Sequence, residues 1–301
     1  MKPKIQASIE LTNYCNMKCR FCPHAVYKQP ASPSGNLYNR PQGYMTDETF
    51  ARVLENAQHY REIVLGFFGE QTLHPKFTER VRALREATTC HMVLNSNWSY
   101  VTAEMMETIK LFDTVRISID AVDPATYEKL CPGGAFLDLA GNKTEQRYDT
   151  LVKKILYWFG LVHPETWLIF VTSSVNAATQ GKFVDYWLPK TPQHDSVVTK
   201  RVVSYGGVMG DSRMARHPCY IHEQNRVVIA WNGDVSPCNL DVNMELAAGN
   251  LLREPNLLSL TASDQWRARL NAIKRRKGIC ANCFDSNNHT ENVRRAGRKR
   301  P

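Results

Sequence analysis

Leu11-Thr12-Asn13-Tyr14-Cys15-Asn16-Met17-Lys18-Cys19-Arg20-Phe21-Cys22-Pro23-His24 separates three cysteines by three and then two residues. A loop with that spacing can wrap an inorganic cubane and point three thiolates at three of its corners, leaving the fourth corner open. Three inert buried thiols are the alternative. Asn16, Lys18, Arg20 and Pro23 argue against it, because they make the stretch a polar loop unlike a core segment. Upstream, Ile5 to Leu11 alternates as a strand does and delivers the loop at its C-terminal end.

The same pattern recurs downstream. Thr46 to Tyr60 reads as a helix with Phe50, Val53, Leu54 and Ala57 on one face. Ile63 to Phe68 is an apolar strand of the kind covered on both faces, and it ends at Gly69-Glu70. A helix over 75–88, opened by Pro75, leads to a strand at Met92 to Leu94 that ends in Asn95-Ser96-Asn97. Residues 102–111 read as a helix, Thr114 to Asp120 as a strand, and Asp123-Pro124 as a helix cap with proline at the first position. A helix over about 144–160, a strand at Trp167 to Val175, a helix over about 179–188 and a strand at Ser196 to Ser204 complete six strand–helix repeats. Alternation of this kind implies a parallel sheet with right-handed crossovers. Six repeats are too few to close an eight-stranded barrel, so the expected fold is α/β, an open partial (β/α)6 barrel over 1–205. Such sheets carry functional groups at the C-terminal ends of their strands, where Cys15, Glu70, Asn97, Ser118 and Asp120 fall. Lys28 to Gly43, rich in Pro, Ser, Asn and Gly, reads as a surface loop.

With 301 residues, 43% of them hydrophobic, the chain can bury one large domain and a small one. No apolar run is long enough to span a bilayer and the N-terminus carries no apolar signal core, so a cytoplasmic protein with no membrane partner is expected. Nine cysteines in such a chain favour metal ligation over disulfides. The net charge of +9 concentrates in Lys274 to Lys277 and in a tail with Arg294, Arg295, Arg298, Lys299 and Arg300, read as a solvated face and a frayed basic tail over 291–301. No aromatic-rich binding motif accompanies the charge, so nucleic acid is not an expected partner, and the balance tilts the substrate towards an acidic or phosphorylated small molecule.

Cys15, Cys19 and Cys22, with the aromatic Phe21 before the last of them, resemble the radical S-adenosylmethionine (radical SAM) superfamily. The resemblance implies that the three thiolates hold a [4Fe-4S] cluster whose open iron is chelated by SAM. It extends along residues 5 to about 205. Gly66-Phe67-Phe68-Gly69-Glu70-Gln71 is similar to the family's Gly-Gly-Glu-Pro motif, with Phe68 for a glycine and Gln71 for the proline. Glu70 would then take the SAM amino group. Ser96-Asn97-Trp98 resembles the family's Thr-Asn-Gly segment, with Trp98 in place of glycine, and Ser118-Ile119-Asp120 resembles the stretch that helps bind the SAM ribose.

A second resemblance begins at Cys219. Together with Gly233, Cys238, Cys280 and Cys283 it is similar to the auxiliary-cluster extension known as SPASM, in its shorter twitch form. Arg226 to Trp231, the Asn232-Gly233 turn and Asp234 to Cys238 independently read as a hairpin. The expectation is a small hairpin-plus-helix domain over 206–290 with one auxiliary [4Fe-4S] cluster on Cys219, Cys238, Cys280 and Cys283. A four-cysteine zinc site is the alternative. The resemblance implies dehydrogenase-type oxidation of a sugar-like or aminocyclitol-like alcohol, fed by an external flavodoxin- or ferredoxin-like reductant. Other outcomes stay open: a peptide-modifying maturase, a non-catalytic electron carrier, or a redox-neutral epimerase in which Cys131 returns a hydrogen atom to the substrate.

Overall fold

The computed structural model describes residues 5–28, 38–192, 195–209, 219–281, 283 and 293–295. In chain order its elements begin with β1 (Ile5–Ile9), α1 (Asp47–Glu55), β2 (Tyr60–Leu65), α2 (Phe77–Ala87), β3 (His91–Ser96), α3 (Ala103–Ile109) and β4 (Thr114–Ser118). Then come α4 (Pro124–Leu130), a short hairpin of β5 (Phe136–Leu137) and β6 (Lys143–Thr144), α5 (Arg147–Phe159), β7 (Glu165–Thr172), α6 (Gln180–Trp187) and β8 (Ser196–Arg201). The C-terminal part holds β9 (Arg226–Ile229), β10 (Asp234–Ser236), β11 (Gly249–Asn250), α7 (Leu257–Thr261), α8 (Asp264–Lys274) and β12 (Val293–Arg295).

These elements divide into two compact units. The first comprises residues 1–15, 22–91 and 203–287, and its strands run in the order β11, β10, β9, β1, β2. β1 lies parallel to β2 on one side and to β9 on the other. The expected Asn-Gly hairpin is present as β9 and β10, with Gly233 at φ +88°, a conformation that glycine adopts without the penalty of a Cβ. Helix α1 starts where the Thr46 side chain accepts from the Thr49 amide. Within this unit the stretch read as a surface loop is buried at Tyr38 and Arg40, because the Arg40 guanidinium binds the fully buried Glu10 carboxylate at 2.8 and 2.5 Å. Residues 29–37 of that loop lie outside the described residues.

The second unit comprises residues 16–21, 92–202 and 288–301, with strand order β3, β4, β7, β8, β12. β3, β4, β7 and β8 are parallel. The Asp123 cap holds, its carboxylate accepting from the Thr126 amide at 2.8 Å. Val293–Arg295 pairs antiparallel with β8, so this part of the basic tail is a strand and is not frayed. Arg298, Lys299 and Arg300 lie outside the described residues. No described helix is long and apolar enough to cross a membrane.

Candidate functional site

In the first unit, the turn after β2 is built against the start of the cysteine loop. Gly69 sits at φ +79°, and a Cβ there would lie 2.6 Å from both the Thr12 and the Tyr14 carbonyl oxygens. Glu70 donates its amide to the Tyr14 carbonyl at 2.8 Å. Its buried carboxylate accepts from the Thr72 hydroxyl at 2.7 Å and caps the short turn that follows. Gln71, where the family motif has proline, accepts from the Leu11 amide at 2.7 Å and the Thr12 amide at 3.3 Å, and donates to the Phe68 carbonyl at 2.9 Å. A proline has no side-chain polar group to make these bonds. Cys15 and Cys22, both half-buried, belong to this unit, and Cys22 packs beside Tyr38 and Phe68.

In the second unit, the segment that carries Cys19 is strapped to the chain after α4. Lys18 donates its amide to Pro132 at 2.9 Å and Arg20 to Leu130 at 2.8 Å, which sets Cys19 opposite Cys131. The hydrogen bond between the two thiols, then burial, pushes the Cys19 thiol well above its ordinary range. Iron would displace that proton, since a thiolate is the ligand form. Asn16 donates to the Ser99 hydroxyl and to the Ala135 carbonyl, each at 2.8 Å. Gly134 sits at φ +76°, and a Cβ added there would lie 2.3 Å from the Asn16 carbonyl oxygen. Arg147 reaches the Cys131 carbonyl, the Glu128 carboxylate and, at 3.5 Å, the Met17 sulfur.

Asn97 is turned towards the same segment, its Nδ2 donating to Asn16 Oδ1 at 3.2 Å while its Oδ1 accepts from the Ser99 amide at 2.9 Å. Trp98 adopts φ +61°, the left-handed conformation that glycine would supply, and its fully buried ring meets Trp158 edge to face at 5.5 Å. Burial of two indoles offsets the backbone strain. Phe21 and Ser118 are half-buried. Asp120 is buried, with Oδ1 accepting from the Val171 amide at 2.7 Å, and burial raises its carboxyl to about 7 against the pull of that amide and of Lys200.

The second cysteine group is gathered within the first unit. After β10 the chain turns around Asp241, whose carboxylate accepts from the Ser236 hydroxyl at 2.9 Å and the Leu246 amide at 2.8 Å. That turn presents Cys238, with the Leu240 amide donating to its sulfur at 3.4 Å. Cys219, Cys238, Cys280 and Cys283 line one small cavity, together with Ile221, Leu240, Ile273 and Arg276. Burial raises Cys238 well above the thiol range and Cys280 to about 12. Four thiols round one cavity with apolar walls match the donor set of a fully ligated iron–sulfur cluster. Arg276 donates to the Cys283 carbonyl at 2.8 Å and closes one wall.

Sequence reasoning missed Arg40, Asn16, Gly134 and Arg147, each of which acts on residues remote in the chain.

Comparison with known proteins agrees with this geometry. The family model described as radical SAM superfamily matches residues 9–151, and the one described as iron-sulfur cluster-binding domain (SPASM) matches residues 219–284. The chain is 23% identical over 268 residues to the tungsten-containing aldehyde ferredoxin oxidoreductase cofactor-modifying protein of Pyrococcus furiosus, covering 76% of this chain and 69% of the relative. It superposes with a TM-score of 0.67 and 14% identity on Streptococcus suis SuiB bound to precursor peptide SuiA, over 90% of this chain and 66% of SuiB. With BtrN in complex with AdoMet and 2-DOIA the TM-score is 0.59 at 16% identity, over 97% of this chain and 99% of BtrN. The fold is the α/β partial barrel expected from the repeats, and the family's cofactors are a SAM-binding [4Fe-4S] cluster, SAM itself and an auxiliary iron–sulfur cluster. Two matched family models, in the order and at the cysteines that the sequence marks, place this chain in the radical SAM superfamily with a SPASM-type iron–sulfur domain.

Proposed function

We propose that the protein is a radical SAM oxidoreductase that dehydrogenates an alcohol carbon of a sugar-like or aminocyclitol-like small molecule. Cys15, Cys19 and Cys22 hold the SAM-binding cluster; Cys219, Cys238, Cys280 and Cys283 hold the auxiliary cluster, in the short twitch form. When bound, these groups supply a 5'-deoxyadenosyl radical and a one-electron acceptor. The chain's own residues position them. Gly69 and Gln71 fix the loop before Cys15, Asn16 and Arg147 fix the segment around Cys19, and Asp241 shapes the turn that presents Cys238.

The observation that carries this reading is the four-thiol cavity. A cluster with four protein ligands has no corner left for SAM, which suits it to taking an electron. Loss of a hydrogen atom, a proton and that electron turns the alcohol into a ketone. An external flavodoxin- or ferredoxin-like carrier supplies the starting electron. The match to BtrN along almost all of both chains supports a small-molecule substrate. Reduced, reconstituted protein given SAM and a panel of polyols should release one ketone per 5'-deoxyadenosine. Release of 5'-deoxyadenosine with a product epimerised and labelled from deuterated solvent would favour the second reading, an epimerase with Cys131 as hydrogen donor, for which its contact with Cys19 is the supporting observation.

A further inference from the structure

Residues along β4 alternate between the two faces of the second unit's sheet. Val115, Ile117 and Ile119 are fully buried, as are Leu168 and Phe170 of β7. Phe170 packs on Phe183 of α6 at 4.7 Å, so this is the helix-covered face. Register pairs Arg116 with Trp167 and Val171 with Lys200, which puts all three side chains on the other face, Lys200 lying four residues further along it than Arg116. There they are only half-buried.

The Arg116 guanidinium lies over the Trp167 ring at 4.8 Å. Lys200 is near enough that burial and the Arg116 charge together lower it to about 8, while Asp120 pulls the other way. Asp120 is a carboxylate that faces Lys200, and it is already committed to the Val171 amide and raised to about 7. Two cations thus stand on a partly dehydrated surface, and the carboxylate that faces one of them, Lys200, carries a weakened charge. An anion seated between them would relieve their repulsion. A guanidinium also offers a planar fork that fits carboxylate or phosphate oxygens.

We propose that Arg116, Trp167 and Lys200 form the seat for an anionic group, a carboxylate or phosphate, on the substrate of this enzyme. The assignment rests on the reading above, that the protein acts on a small molecule at this sheet. Arg116 and Lys200 bind the oxygens, and Trp167 holds the guanidinium plane and walls the adjoining carbon skeleton.

SAM also carries a carboxylate, so the test has two arms. Anaerobically reconstituted full-length protein is titrated calorimetrically with inorganic phosphate and, separately, with SAM. Phosphate should bind the wild type and bind at least about tenfold more weakly to Arg116→Gln and to Lys200→Gln, with Lys200→Arg retaining affinity. SAM affinity should be the same in all of them. Thermal melting checks that each variant is folded, with Lys200→Arg covering the case in which Lys200→Gln is not. No phosphate binding by the wild type, or equal binding by wild type and both neutral variants, overturns the proposal. So does parallel loss of phosphate and SAM affinity, which would give the seat to SAM. Wild-type iron content and 5'-deoxyadenosine release report separately on the underlying reading, which can stand if the seat falls.

Discussion

The Cys19 and Cys131 thiols are hydrogen-bonded to each other, held face to face by the main-chain bonds from Lys18 to Pro132 and from Arg20 to Leu130. Cys131 thus touches a proposed cluster ligand without belonging to the three-cysteine spacing. In a dehydrogenase it returns nothing to substrate. Cys131→Ala should therefore keep about eight irons per chain and still oxidise its substrate, checked by iron assay and product analysis. Full iron with stalled turnover would contradict the dehydrogenase and support a thiol donor.

Gly69→Ala places a Cβ 2.6 Å from two carbonyl oxygens at φ +79°. Backbone has to move at the start of the cysteine loop. The expected cost is about 2 kcal/mol or more in stability, read as a lower midpoint in urea. An unchanged midpoint would show that the turn and the loop are not packed as described.

Gln71→Ala removes the acceptor of the buried Leu11 and Thr12 amides. Leaving buried donors without partners should cost about 1–3 kcal/mol. Gln71→Pro, which restores the family's usual residue, should be no better, since proline cannot replace the lost acceptor. Urea denaturation of both variants checks this; recovery of wild-type stability by proline would contradict it.

Asp120 has a folded-state pKa of about 7 against an ordinary 3.8, because its burial disfavours the charge. Below about pH 4 both states are protonated and the group contributes no penalty. Between there and pH 7 the unfolded state releases its proton first, so the folded state binds more protons and stability falls as pH rises. Asp120→Asn should flatten that slope, by at most about 4 kcal/mol over the window. Asp195, also raised to about 7 by burial, keeps part of the slope in the variant. Parallel pH–stability curves for wild type and Asp120→Asn would contradict this account.

The parts of the fold legible in the sequence are those fixed by neighbours in the chain. The helix start at Thr46, the Asp123 cap and the Asn232-Gly233 turn are local, and each stands where the residues put it. Strand ends were less legible. β2 stops at Leu65 although Phe67 and Phe68 continue the apolar run, because Gly66 takes φ +145° and the two rings enter an aromatic cluster with Tyr38 and Tyr205. The β5–β6 hairpin has strands of two residues, too short for any periodicity to show. Pairing of β9 with β1, the Glu10–Arg40 ion pair and the Cys19–Cys131 contact join distant stretches, and a single sequence carries no local mark of them. Trp98 is the instructive case within the site. Trp98 stands where the similar family segment has glycine, and it takes a left-handed conformation at φ +61° that packing against Trp158 supports.

Cys15, Cys19 and Cys22 are proposed to hold a cluster with a vacancy for SAM. Anaerobic reconstitution of the wild type and of a Cys15→Ala, Cys19→Ala, Cys22→Ala variant, followed by iron assay and electron paramagnetic resonance with and without SAM, tests it most directly. The wild type should hold about eight irons with a reduced-cluster signal that SAM shifts, and the variant about four with a signal indifferent to SAM. Full iron in the variant, or a wild-type spectrum that SAM leaves unchanged, would contradict it.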